Sequence, residues 1–244
     1  MIATTPTARF GAESRLGDIV AADFRSASIF DAIGIDYCCG GDVTLAQVCG
    51  QKGLDSAALI GKIESATAAP LSRNENYAAW EPSFLADYIV NVHHSWLREN
   101  DGSIVAYTAK IASVHGSRHP ELAEIAAIFA KVAADMEVHL REEEDRFFPA
   151  IRRIQAAVAA GSSLDADDKA TLGRALESLG RDHEEIGEAT HRIRALSKAY
   201  ALPEDACSSY AVTYAKLAEF EDDLHKHVHL ENNILFPKAR AFLV

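Results

Sequence analysis

The sequence predicts an all-α protein, an up-down-up-down four-helix bundle preceded by a small helical N-terminal domain. Three observations carry that prediction. After Pro82 the chain holds four long segments whose apolar residues recur at helical spacing with only short breaks between them. Before Pro82 the helical stretches are short and punctuated by glycine, and strand-type alternation is absent throughout. A length of 244 residues also exceeds one ordinary compact domain, which suits a small module joined to a larger one. The expected division is a cysteine-bearing domain over residues 1–70, a linker over 71–82 and the bundle over 83–244.

The first module runs from Leu16 to about Thr67. Leu16, Ile19, Val20, Phe24, Ile29, Phe30 and Ile33 are apolar positions ahead of a break at Cys38-Cys39-Gly40-Gly41. Thr44 is placed to cap a helix carrying Leu45, Val48 and Cys49, and Asp55 to cap another carrying Leu59, Ile60 and Ile63, because their side-chain oxygens accept the unpaired amides of a first turn. So small a module buries little surface alone, so it is expected to lean on the rest of the chain or on a second copy, as a homodimer through this domain. The polar run that follows ends at Pro82, a residue suited to the first turn of a helix.

Breaks at Gly116 to Pro120, Gly161 to Asp167 and Ala201 to Pro203 then leave helices of about 83–115, 120–160, 166–200 and 203–241. Leu122, Ile125, Ile128, Phe129 and Val132 illustrate the spacing in the second, and Leu172, Leu176 and Leu179 in the third. Long helices joined by short loops pack as antiparallel neighbours. Pro149 and Pro237 fall inside helices and are expected to kink them, with Phe148 and Phe236 in the core.

Composition narrows the function classes. Hydrophobic residues make up 48% and charged residues 25%, the balance of a chain able to bury a core. Lys plus Arg number 24 against 36 Asp plus Glu, a net charge of −12, which repels phosphate backbones and anionic headgroups, so neither nucleic acid nor membrane is an expected partner. The start, MIATTPTARF, lacks the apolar core of a leader peptide, and no stretch has the length of a membrane span, which points to the cytoplasm. Four cysteines, two adjacent, make a poor disulfide framework.

The histidines carry the chemistry. His93, His139, His183 and His227 fall one in each predicted bundle helix, at intervals of 46, 44 and 44 residues. In an antiparallel bundle, near-equal intervals on successive helices mean one common level, so four imidazoles converge. The second and fourth helices repeat one string, Asp135, His139, Glu143, Phe148, Pro149 and then Asp223, His227, Glu231, Phe236, Pro237, with every internal spacing equal. Residues four apart share a helix face, so each pair aims a nitrogen and a carboxylate the same way. His225 and His229 lie about 200° round the helix from His227, and His115 about 33 Å along the helix from His93; all three are left out. Four imidazoles and two carboxylates suit two first-row ions, iron foremost, with both glutamates bridging, two histidines on each metal, a bridging oxide or hydroxide, and a position open to a small molecule. Burying such a set without metal would cost heavily in desolvation. Asp135 and Asp223, one turn before each histidine, are candidates to accept its second N–H or to govern proton delivery; exposed helix acids without such a role are the alternative.

Cys38 and Cys39, in the string Asp36-Tyr37-Cys38-Cys39-Gly40-Gly41, sit at a glycine turn where an exposed thiolate would bind a soft metal or exchange disulfides; buried packing is the alternative. Two cysteines do not complete a usual iron–sulfur site, so any cluster there needs ligands from a partner. Cys49 reads as packing, and Cys207 stands alone near a helix start.

DYCCGG followed by the helical HxxxE repeats resembles the iron–sulfur cluster repair di-iron proteins of the RIC family, ScdA and YtfE in type. The terminal HLENNILFP matches closely, and the likeness spans nearly the whole chain. It implies a hemerythrin-like bundle with a non-haem di-iron centre, in which His93, His139, Glu143, His183, His227 and Glu231 fall on the six ligand positions. It also implies a cytosolic protein of nitrosative and oxidative stress that restores damaged iron–sulfur proteins by supplying iron, with nitric oxide or oxygen as small ligand. Cys38 and Cys39 would then assist transfer or contact the client. Two further readings follow from the open metal positions: reduction of nitric oxide to nitrous oxide, and sensing of oxygen or nitric oxide. A simple oxygen carrier fits less well. Such carriers place two histidines four apart on the third helix, whereas His183 is followed at that spacing by Gly187.

Overall fold

A computed structural model describes residues 9–243. Residues 1–8, most of the stretch noted above for its lack of an apolar leader, lie outside the described residues, as does Val244. The described chain is helical, with one isolated bridge, Arg15 to Thr44, as its sole β-type pairing. Among these residues no helix is long and apolar enough to cross a membrane. The described residues form two compact units, one reaching as far as Trp80 and taking in His229–Pro237, the other running over 81–228 and resuming at Lys238.

The first unit holds α1 (Leu16–Ala22), α2 (Ala27–Ala32), α3 (Leu45–Lys52) and α4 (Ser56–Ala66). Its interior is built on Leu16, Ile19, Val20, Phe30, Leu45 and Ile63, all essentially without solvent contact. Thr44 caps α3 in a reciprocal arrangement with Gln47, each side chain accepting the other's backbone N–H, and Gly53 ends the helix at φ +66°, where a side chain would be strained. Asp55 accepts the amides of Ala57 and Ala58 to start α4. Between α1 and α2, buried Asp23 accepts hydrogen bonds from the Arg25 amide and guanidinium. Burial alone would raise the Asp23 carboxyl, and those bonds outweigh it and hold it below the usual carboxylate range.

The second unit contains α5 (82–115), α6 (121–159), α7 (Ala166–Leu196) and most of α8 (208–241). Pro82 occupies the first turn of α5, and Asp165 caps α7 by accepting the amides of Asp167 and Asp168. α5 packs along α6 and α6 along α7. Leu97, Ile104, Phe129, Leu140, Leu179 and Phe220 fill the interior, with Phe129 and Phe220 edge to face at 4.9 Å. α7 stops at Leu196, short of the predicted end. Lys198, Ala199 and Tyr200 turn left-handed at φ 51°, 55° and 61°, and the Ser197 hydroxyl accepts the Tyr200 amide. Beyond the loop α8 starts only at Ser208, where the Cys207 carbonyl accepts the Ala211 amide.

Pro149 and Pro237 do not break their helices. Each follows a single widened turn of π type, Glu143–Phe147 in α6 and Glu231–Leu235 in α8. A proline ring clashes with the carbonyl four residues back, here Asp145 and Asn233, and the extra residue in each turn moves that carbonyl aside. A third such turn, Val90–His94, lies in α5, where no proline marks it.

Candidate metal centre

The π turns sit where the donors are. His94 closes the turn in α5, Glu143 opens the turn in α6, and Glu231 opens the turn in α8, one α-helical turn beyond His227. His139 occupies the regular turn before Glu143, and His183 sits mid-way along α7, which has no such widening. His94, His139, Glu143, His183, His227 and Glu231 are each at most 2% exposed.

Two overlapping sets of donors result. In one, His94, Glu143, His227 and Glu231 bring a ligand atom each within 4.8 Å of one another; in the other, His139, Glu143, His183 and Glu231 do the same. Both carboxylates are common to the two sets. Individual approaches are short: His94 Nε2 lies 3.2 Å from Glu143 Oε2, His139 Nε2 3.6 Å from the same oxygen, and the Nε2 atoms of His139 and His183 face each other at 3.1 Å. Two imidazole nitrogens turned on each other and two carboxylates sealed from water are costly unless a cation lies among them, and nitrogen with carboxylate oxygen is a donor set for first-row ions. These clusters are able to hold metal.

The structure departs from the sequence expectation at His93. The ring in the α5 position is His94, because the π turn inserts one residue and swings its neighbour aside. His93 is nonetheless buried. Its Nδ1 lies 2.8 Å from Asp223 Oδ1, and its ring stacks on His227 with centroids 5.6 Å apart and planes 7° off parallel. Asp223 therefore faces His93 rather than its helix neighbour His227.

Asp135 takes the exposed alternative: its carboxylate is half exposed and pairs with Lys131 on the same helix face. The carboxylates beside the donor imidazoles are two residues not anticipated. Glu144 Oε1 lies 2.7 Å from His94 Nδ1 and also takes Arg98, and Asp182 Oδ2 lies 3.4 Å from His139 Nδ1. Burial would raise the Glu144 carboxyl, but its bonds to Arg98 and His94 hold it below its usual value; hydrogen bonding to His139 does the same for Asp182. Their one sequence signal is adjacency, Glu144 to Glu143 and Asp182 to His183.

In the first unit, the cysteine turn is organised by Asp36. Its Oδ1 accepts the amides of Cys38 and Cys39 at 2.9 and 3.0 Å and the Cys38 thiol at 3.3 Å. The three side chains group closely enough to share a cation. Cys38 is buried, and hydrogen bonding with Cys39, burial and the nearby Cys39 and Asp36 charges push its thiol well up, so Cys38 is not the exposed thiolate the sequence suggested. All four cysteines are free thiols. Cys49 is buried among packing residues, as its apolar spacing implied. The turn is held by two asparagines that sequence reasoning passed over: Asn232 Nδ2 donates to the Cys38 carbonyl at 3.2 Å and Asn233 Nδ2 to the Tyr37 carbonyl at 3.0 Å.

Comparison with known proteins agrees with this arrangement. Residues 86–239 match the hemerythrin HHE cation binding domain, and residues 12–67 match ScdA_N, described as a domain of unknown function, DUF542. The iron-sulfur cluster repair protein ScdA of Staphylococcus haemolyticus is 30% identical over 226 residues, covering 93% of this chain and 97% of that one. ScdA of Staphylococcus epidermidis is 31% identical over 233 residues, covering 93% and 98%. The iron-sulfur cluster repair protein YtfE of Musicola paradisiaca is 30% identical over 227 residues, covering 93% and 96%. With a cation-binding bundle, a DUF542 domain before it and end-to-end likeness to these relatives, the chain belongs to the ScdA/YtfE family.

Proposed function

We propose that the chain is a di-iron protein of iron–sulfur cluster repair, holding two iron ions and supplying iron to damaged client proteins in the cytoplasm. The observation that carries this reading is the pair of buried four-donor sets that share Glu143 and Glu231. His94 and His227 would serve one ion, His139 and His183 the other, and the two carboxylates both. Bound iron supplies one-electron chemistry at that position and is at the same time the cargo. A donor set of imidazole and carboxylate without thiolate binds iron less tightly than the sulfur sites of its clients, so transfer runs toward the client. Glu144 and Asp182 hold the His94 and His139 rings in the orientation that presents Nε2 inward. The buried interior excludes bulk water from these groups. Cys39, the more accessible of the adjacent thiols, together with Asp36 offers a waypoint for an ion in transit.

The test joins metal analysis to function. Freshly purified protein is expected to carry about two irons per chain, and His94→Ala with His183→Ala is expected to empty it. Iron-loaded protein incubated anaerobically with an enzyme stripped of its cluster should restore that enzyme's activity while the apo-protein does not. Zinc alone in the purified protein, or no recovery by the iron-loaded form, would overturn the reading. Evolution of nitrous oxide from nitric oxide without iron transfer would assign the site to nitric oxide reduction instead.

A further inference from the structure

We infer that Cys207 and His115, at the end of the second unit where α5 finishes and α8 begins, form a reactive thiol site that takes a low-molecular-weight disulfide. Cys207 is exposed, and its Sγ lies 3.1 Å from His115 Nε2. His115 is only 5% exposed, and its Nδ1 is buried with no partner among the described residues. The ring lies edge-on to Tyr210 and His119, centroids 5.4 and 6.5 Å apart, and among the described residues its side-chain hydrogen-bond partner is the sulfur. Leaving one nitrogen of a buried imidazole unpaired costs stability, and an arrangement kept at such a cost marks a group with work to do.

The backbone adds a second influence. Cys207 accepts the first hydrogen bond of α8, so it stands at the N-terminus of a long helix beside amides that have no acceptor within it. The amides and the imidazole are both placed to meet charge that develops on the sulfur during attack. The acid that would oppose it is occupied: Asp205 is paired with Arg118 and His119, each at 2.9 Å, and Glu121 faces His119 at 3.3 Å. None of the other thiols combines these features, since Cys38 and Cys49 are buried with their thiols pushed up, and Cys39 lies in the Asp36 turn.

The reaction is thiol–disulfide exchange. The Cys207 proton passes to His115 Nε2 as the sulfur attacks one sulfur of the incoming disulfide. A bond forms from Cys207 to that sulfur, the original S–S bond breaks, and the departing thiolate takes the proton. The cysteine is oxidised to a mixed disulfide, the disulfide is the oxidant, and one free thiol is released.

The experiment follows full-length protein with glutathione disulfide at neutral pH, using acid quenching and mass mapping of each cysteine peptide. Cys207 is expected to be modified about tenfold faster than any other cysteine, and His115→Gln to slow it about tenfold with helix content unchanged. A native-state rate at Cys207 above that of the same chain unfolded in urea would support the site even if His115→Gln fails to fold. Modification of Cys39 ahead of Cys207, an unchanged rate in folded His115→Gln, or a native rate at or below the unfolded one would overturn it.

Discussion

His139 turns one nitrogen toward Glu143 and His183 and the other toward Asp182. An imidazole held at both nitrogens loses its freedom to rotate before any ion arrives, which is how carboxylates beyond the donors raise metal affinity. Asp182→Asn keeps the side chain's shape and removes its charge, so it should leave helix content unchanged and weaken iron binding on the order of tenfold, read by competition with a chelator. An unaltered affinity would take Asp182 out of the site. Asp101 shows a different balance. Burial first, then the charges of Glu137 and Asp223, push its carboxyl up to about 7 from an ordinary 3.8. Across that window the unfolded chain has released the proton that the folded chain keeps, so stability falls as pH rises and the loss is complete above about 7. Asp101→Asn removes this slope. In metal-free protein, urea unfolding at about pH 5 and about pH 8 should differ by about 2 kcal/mol less in the variant than in the parent. Sequence reasoning reached Asp223 as a partner but assigned it to the wrong ring, because helical spacing relates residues along one helix and is silent on which neighbour from another helix intervenes.

At the scale of elements, the π turns explain both the success and the error of the periodicity argument. His139 with Glu143 and His227 with Glu231 were legible because four-residue spacing survives up to the point where each widened turn begins. The turn in α5 lies ahead of its donor, so the spacing that selects His93 is off by one residue, and nothing in that stretch plays the part that Pro149 and Pro237 play elsewhere. Ends were read less well than middles: α7 closes on three left-handed residues of ordinary type, which no composition rule singles out. Gly41 shows a tighter constraint. A Cβ there would run into the Asn233 amide oxygen and meet the Tyr37 carbonyl at 2.9 Å, and the second contact is backbone that cannot swing away. Gly41→Ala should therefore lower stability by about 1–3 kcal/mol, measured as a fall in thermal midpoint, with the cysteine turn the first region to lose amide protection in hydrogen exchange.

At the scale of the whole molecule, the number of helices, their order and the level shared by the donors all follow from interval counting, since antiparallel rods convert near-equal spacing into common height. The assignment of His229–Pro237 to the first compact unit does not. It depends on contacts such as Asn232 to Cys38 and Asn233 to Tyr37, between residues 194 and 196 positions apart, and no local pattern announces a pairing of that range. For Cys38 the sequence leaves exposed thiolate and buried packing both open, because burial is decided by what the remainder of the unit lays over it.

The two asparagine clasps have a mechanical consequence. They grip the carbonyls of Tyr37 and Cys38 from the residues that directly succeed Glu231 in the chain, so a single peptide link separates the carboxylate from the first clasp. Anything that tugs on the thiol-bearing bend, whether oxidation, ligation or a docking protein, therefore pulls on backbone one residue from Glu231.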